Sequence, residues 1–97
     1  MKKYVVILSG KKKNTLTDKL LNDHLAHLKE INRRGQLLLC GPLVDSDKAI
    51  KIINVNSMEE ALKIANSDPF TIHSYYPNIE VLELEEANEE NEYLLKI

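Results

Sequence analysis

The groups in this 97-residue chain with most scope for chemistry are three histidines, one cysteine and a scatter of carboxylates. His24 comes first. Leu20, Leu21, Leu25, Leu28 and Ile31 recur at helical spacing, and His24 falls inside the apolar arc they form, with His27 on its rim. An imidazole on such a face points at the core, where its ring nitrogens need partners. It reads either as a core histidine bonded to backbone or as a general acid/base. Asp68 comes second. Its following Pro69 pushes its backbone away from helical geometry. An Asp before a Pro is also a strong helix start, which would make Asp68 the cap of a short turn over residues 69–73. The alternative is a carboxylate that orients and charges an imidazole, as in His–Asp acid/base pairs.

Weaker candidates surround these two. His24 and His27 lie three apart on a helix and could share a metal with His73, but the set lacks a recurring ligand spacing, and no metal site is expected. Cys40, in an apolar run expected to be a central strand, reads as a small buried hydrophobe rather than a nucleophile. Tyr75 and Tyr76 fit a pocket wall or a dimer seam, and Tyr76 could donate a hydrogen bond to a ligand. The chain has no phosphate-cradling glycine loop and no serine nucleophile elbow, so no cofactor is expected.

The elements that must position these residues are legible. Residues 3–9 are short and rich in β-branched and aromatic side chains, the pattern of a strand. Thr17 or Asp18 caps a helix running to about Arg34, where Gly35 supplies a typical stop and Arg33 and Arg34 suit the helix dipole. Residues 36–44 form a second strand with Gly41-Pro42 as a turn or bulge near its end, Asp45-Ser46-Asp47 a loop, and residues 49–56 a third strand. Ser57-Met58-Glu59-Glu60 fits a capping box and opens a helix to about Asn66, with Met58, Ala61, Leu62 and Ala65 on one face. Residues 79–85 form a fourth strand. The order β-α-β-β-α-β is the ferredoxin-like, α+β arrangement: a four-stranded antiparallel sheet with both helices on one face. Strands 1 and 2 are apolar in both phases, so the uncovered face wants a partner, and the simplest is a second copy. Leu94, Leu95 and Ile97 are candidates to contribute to that homodimer.

Length and composition bound the rest. Ninety-seven residues make one domain, with a core over about residues 3–84 and a C-terminal extension over 86–97. No apolar run approaches the ~20 residues that cross a bilayer, and the first apolar stretch is too short for a secretory signal. A single cysteine forms no internal disulfide, which points to a cytoplasmic location. Charge is uneven: residues 1–56 carry 11 Lys/Arg against 5 Asp/Glu, and residues 57–97 carry 2 against 10. The expectation is that the two halves pair within the fold or across a dimer. Lys11-Lys12-Lys13 has no interleaved aromatics, so neither nucleic acid nor membrane is an expected partner.

A resemblance sharpens this reading. His24-Leu25-Ala26-His27-Leu28, residues 35–43 (Gly-Gln-Leu-Leu-Leu-Cys-Gly-Pro-Leu), Ser57-Met58-Glu59-Glu60-Ala61 and Asp68-Pro69-Phe70 stand in the order and at the separations of the YciI-like (YCII-related domain) family. The chain resembles that family over about residues 3–84. The resemblance implies a ferredoxin-like unit paired as a dimeric α+β barrel. It also implies an active site with a His and an Asp in a cleft by the dimer interface, which map onto His24 and Asp68. Two departures stand at the expected rim. Ser74, preceded by His73, occupies the place of the small residue, often glycine, usual after the Asp-Pro-aromatic turn, and the loop between strands 2 and 3 is short. His27 and His73 are not family positions.

Two functions follow as expectations. One is a cofactor-free enzyme, of lyase, isomerase or hydrolase type, in which His24 moves a proton on a small molecule, Asp68 holds its tautomer, and Tyr76, Ser74 and Gly41 contact the substrate. The other is a non-catalytic dimeric module that binds a small ligand or a protein in the same cleft.

Overall fold

Alternating apolar residues form the first strand, and burial follows the alternation. The computed structural model describes residues 1–95, so the expected contribution of Ile97 to a dimer lies outside the described residues. In β1 (Lys2–Ser9), Tyr4, Val6 and Leu8 are buried while Val5 and Ile7 are not. The chain continues through α1 (Asp18–Arg33), β2 (Leu37–Pro42), β3 (Ala49–Val55), α2 (Met58–Ser67), the short α3 (Pro69–Ile72) and β4 (Asn78–Leu84), and then a 3₁₀ segment, Glu89–Leu94. The four strands form one antiparallel sheet in the order β2-β3-β1-β4, the ferredoxin-like α+β arrangement expected from the element order.

Local signals set the helix ends. Thr17 caps α1 by accepting from Leu20 N–H at 3.1 Å, and Ser57 caps α2 by accepting from Glu60 N–H at 3.2 Å. At the end of α1, Gly35 takes φ +74°, and Gln36 N–H bonds back to the Ile31 carbonyl at 2.9 Å, closing the helix in a Schellman-type turn. Arg33 and Arg34 do more than complement the dipole: both bond Glu30, at 2.6 and 2.9 Å.

The core joins Tyr4, Val6 and Leu8 to Ile53 and Val55 of β3, Ala61 and Ala65 of α2, and Phe70, Tyr75 and Tyr76. Both helices therefore cover one sheet face. On α1 only Ile31 is fully buried, and Leu21 and Leu25 are 38% and 41% exposed. The buried arc is thus rotated away from them, toward Leu20, His24, His27, Leu28 and Ile31. On α2, Met58 and Leu62 are likewise exposed, and Ile64 packs against the core in their place.

The structure corrects the reading of the second strand. β2 is an edge strand, not a central one, and Cys40 is exposed rather than buried. Its irregularity falls between Leu37 and Leu39, where the pairing with β3 shifts register, instead of at Gly41-Pro42. The opposite sheet face carries Val5, Ile52 and Leu82 in register, flanked by Ile7, Leu39 and Leu84, with no helix over it among the described residues. Three ion pairs join the basic first half to the acidic second half: Lys3 with Glu86 at 3.1 Å, Lys2 with Glu83 at 4.0 Å and Lys51 with Asp68 at 2.6 Å. Among the described residues no helix is long and apolar enough to cross a membrane.

Candidate active site

The two residues singled out by type, 44 positions apart in sequence, meet. His24 Nδ1 lies 2.8 Å from Asp68 Oδ1. Asp68 sits at the junction of α2 and α3 with extended backbone (φ −66°, ψ 124°), as its position before Pro69 requires. Its side chain is fully buried and fully engaged. Oδ1 accepts from the Phe70 N–H at 2.9 Å as well as from His24, and Oδ2 accepts from Lys51 Nζ at 2.6 Å. Asp68 is therefore both a helix cap and a partner of the imidazole.

The electrostatics follow from these contacts. Burial by itself would raise the Asp68 pKa, but the His24 hydrogen bond and the Lys51 charge and hydrogen bond outweigh it, and the carboxyl is held well below the usual carboxylate range. An ionised carboxylate only accepts hydrogen bonds. The proton between the two groups is accordingly on Nδ1, and Nε2 has no hydrogen-bond partner among the described residues. The Phe70 ring stacks on the imidazole with centroids 3.7 Å apart and planes 8° apart, which fixes the ring's tilt. His27, one turn on, is pushed below the ordinary histidine range by burial and by the Lys51 charge, and its buried Nε2 has no partner among the described residues.

His24 forms part of the wall of a cavity of about 320 Å³. Leu16, Leu25 and Leu28 line one side, Phe70, Tyr75 and Tyr76 another, and Gly41, Pro42 and Lys51 the sheet side. Tyr76 is buried, and its hydroxyl is raised above the usual tyrosine range by burial and then by neighbouring Tyr75 and Asp47. The connection after β1 is pinned beside the cavity. Gly10, at φ +77°, donates its N–H to Asp47 Oδ2 at 3.1 Å, and Lys12 N–H reaches the Tyr75 carbonyl at 2.9 Å. The positive φ at Gly10 favours glycine, whereas the Asn78 side chain, whose Nδ2 would lie 2.9 Å from an added Cβ, can move aside.

Of the expected site residues, His24, Gly41 and Tyr76 line this cavity, and Asp68 stands behind His24. Ser74 does not join them: it lines a separate depression with Lys12, Asp23 and His73. Its φ of +56° accounts for the expectation of glycine at that place. His24, His27 and His73 do not converge, and among the described residues no group of three or more His, Cys, Asp or Glu is placed to hold a metal. Sequence reasoning missed Lys51 and Phe70. The signal for Lys51 was present: it shares a strand phase with Ile53 and Val55, and a lysine on a buried strand face needs a buried carboxylate.

The chain is thus a small α+β domain whose ferredoxin-like sheet carries a buried His–Asp pair beside a largely apolar cavity. Residues 3–85 match the family model of the YCII-related domain, and the chain belongs to that family. Among solved structures it is similar to 5-chloro-2-hydroxyhydroquinone dehydrochlorinase from Burkholderia phenoliruptrix, in complex with 2,5-dihydroxybenzoquinone. The TM-score is 0.65 at 19% identity, over 84% of this chain and 93% of that one. That likeness is one of fold. No match was found among curated proteins.

Proposed function

We propose that this protein is a cofactor-independent enzyme that moves a proton on a small, planar, largely apolar molecule held in the 320 Å³ cavity. The observation that carries the reading is the 2.8 Å contact between His24, in the cavity wall, and the fully buried Asp68. It commits one imidazole nitrogen to the protein and leaves the other for a bound molecule. His24 acts as general base or acid, and Asp68 holds its orientation and stabilises the imidazolium that forms. Tyr76 and Gly41 contact the substrate from two further sides. Three aromatic rings and several leucines suit a ring compound. The structural relative's name and bound molecule, a hydroxylated hydroquinone and a dihydroxybenzoquinone, suggest the class to try first. The protein works as a homodimer, paired through the uncovered sheet face.

The test is to add 2,5-dihydroxybenzoquinone and a panel of small phenols and quinones in deuterated buffer. Carbon-bound hydrogen exchange and product formation are then followed by NMR. The native protein is expected to accelerate exchange or conversion of at least one compound. His24→Gln is expected to lower that rate by about 10²–10⁴-fold, the usual contribution of a positioned acid/base. Saturable binding without exchange or product would replace the enzyme by a binding module, and no binding of any compound would overturn both.

A further inference from the structure

The proposed proton transfer leaves one buried charge without a task. Lys51 is 2% exposed and joins the cavity wall, in a strand whose other inward residues, Ile53 and Val55, are apolar. A lysine in such a place is costly to bury, and its ammonium is spent on Asp68 Oδ2 at 2.6 Å, not on solvent. We propose that Lys51 is a positioning residue that keeps Nε2 of His24 free of a proton, by supplying the positive charge that the buried Asp68–His24 pair would otherwise take from water as a proton.

Charge and protons must balance around the buried carboxylate. With Lys51 present, the ammonium and the carboxylate balance. The imidazole can then stay neutral, with its one proton on Nδ1, directed at Asp68 Oδ1. Without the ammonium, a carboxylate with no exposed surface stands against a neutral ring and a single backbone donor, the Phe70 N–H. Desolvation then drives the pair to take up one proton. It has three places to go: the ring and either oxygen of Asp68. On the ring it makes an imidazolium, which carries hydrogen on both nitrogens. On Oδ1 it makes a carboxylic acid that donates to Nδ1, and the ring's own proton then sits on Nε2. In both of these Nε2, the nitrogen left for a substrate, is no longer a base; a proton on Oδ2, the oxygen that Lys51 holds, would instead leave Nε2 bare, and that outcome overturns the inference. Lys51 would thus decide that the resting site accepts protons rather than donates them. Other titratable groups near the pair are His27 on α1, Cys40 opposite Lys51 on β2, and Lys11, Tyr75 and Tyr76 in the cavity wall, and Asp68 bonds none of them among the described residues.

The inference rests on the proposed acid/base role of His24, but its test needs no substrate. Long-range ¹H–¹⁵N spectra of the imidazoles distinguish a bare, pyridine-like nitrogen from one bearing hydrogen. The His24 signals are assigned by their loss in His24→Gln, and spectra are taken at one pH near neutrality. Native protein is expected to show Nε2 bare and Nδ1 protonated. Lys51→Met and Lys51→Gln, the latter keeping a hydrogen bond without the charge, are expected to show Nε2 protonated. Lys51→Arg, which keeps the charge, is expected to restore the native pattern. Where a compound is turned over, the charge-removing variants are expected to lose about 10²-fold or more at neutral pH and to recover activity as pH rises. A protonated Nε2 in the native protein overturns the inference even if no variant folds, as does a bare Nε2 in a folded Lys51→Gln. Failure to find a turned-over compound would count against the enzyme while leaving the nitrogen assignment to stand or fall on the spectra.

Discussion

Asp68 combines two roles that its sequence context presents as alternatives. Its Oδ1 caps the turn at Phe70 and accepts from His24, and Oδ2 holds Lys51. One carboxylate therefore ties α1, β3 and α3 together from a position without solvent. Removing one partner of a buried ion pair leaves the other uncompensated, at about 3–5 kcal/mol. Asp68→Ala is expected to lose stability of that order at neutral pH in urea denaturation. The pH dependence has a definite sign. The folded-state pKa of Asp68 is depressed, so its contribution is complete above the ordinary aspartate range, about 4, and is lost progressively as pH falls below it. The stability gap between native protein and Asp68→Ala should narrow as pH falls below about 4. A gap that stays constant there would mean that Asp68 is not ionised in the fold.

At the scale of elements, the turn after α3 shows how a family preference becomes a stability term. Ser74 is held at φ +56° by a chain that reverses between Phe70 and Tyr75, with Tyr75 N–H returning to the Phe70 carbonyl at 2.9 Å. A non-glycine residue in this region carries a steric cost of about 1–2 kcal/mol, which glycine avoids at some entropic expense. Ser74→Gly is therefore expected to stabilise the protein by up to about 1 kcal/mol, read as a rise in thermal midpoint. The turn positions Tyr75 and Tyr76, whereas Ser74 faces a different depression, so the same variant is expected to leave ligand binding in the His24 cavity unchanged. Lost binding there would return Ser74 to the site. The rotation of α1 belongs to the same scale. Packing chose the part of its apolar arc that includes His24 and left Leu21 and Leu25 exposed, because the helix lies toward the β2 edge and over α3.

At the scale of the whole molecule, the uncovered sheet face carries the proposed dimer. Leu39 and Leu82 are 59% and 48% exposed, and both are in register with Ile52 on that face. A contiguous apolar surface of this kind on a small domain marks an interface. The native protein is expected to sediment as a dimer and Leu82→Glu as a monomer, with the fold checked by circular dichroism. A native monomer at tens of micromolar would sink the pairing. The C-terminal extension adds the exposed Tyr93 and Leu94, at the end of a 3₁₀ segment that Asn88 caps reciprocally with Asn91, and the exposed Leu95 just after it.

The elements, and two residues of the candidate site, are legible in local residue patterns. Strand alternation, hydroxyl caps at Thr17 and Ser57, the stop at Gly35 and the Asp68-Pro69 break are local, and each acts through contacts a few residues away. His24 and Asp68 were recognisable for the same reason, one by its place on a helical face and the other by the proline after it. Other features depend on which strands are neighbours and how a helix rolls on a sheet. The edge position of β2 exposed Cys40, the roll of α1 selected His24 over Leu21 and Leu25, and the phase of β3 brought Lys51 beneath Asp68. Those outcomes come from burial summed over the whole core and from charge compensation between residues up to 44 positions apart, which no local pattern contains.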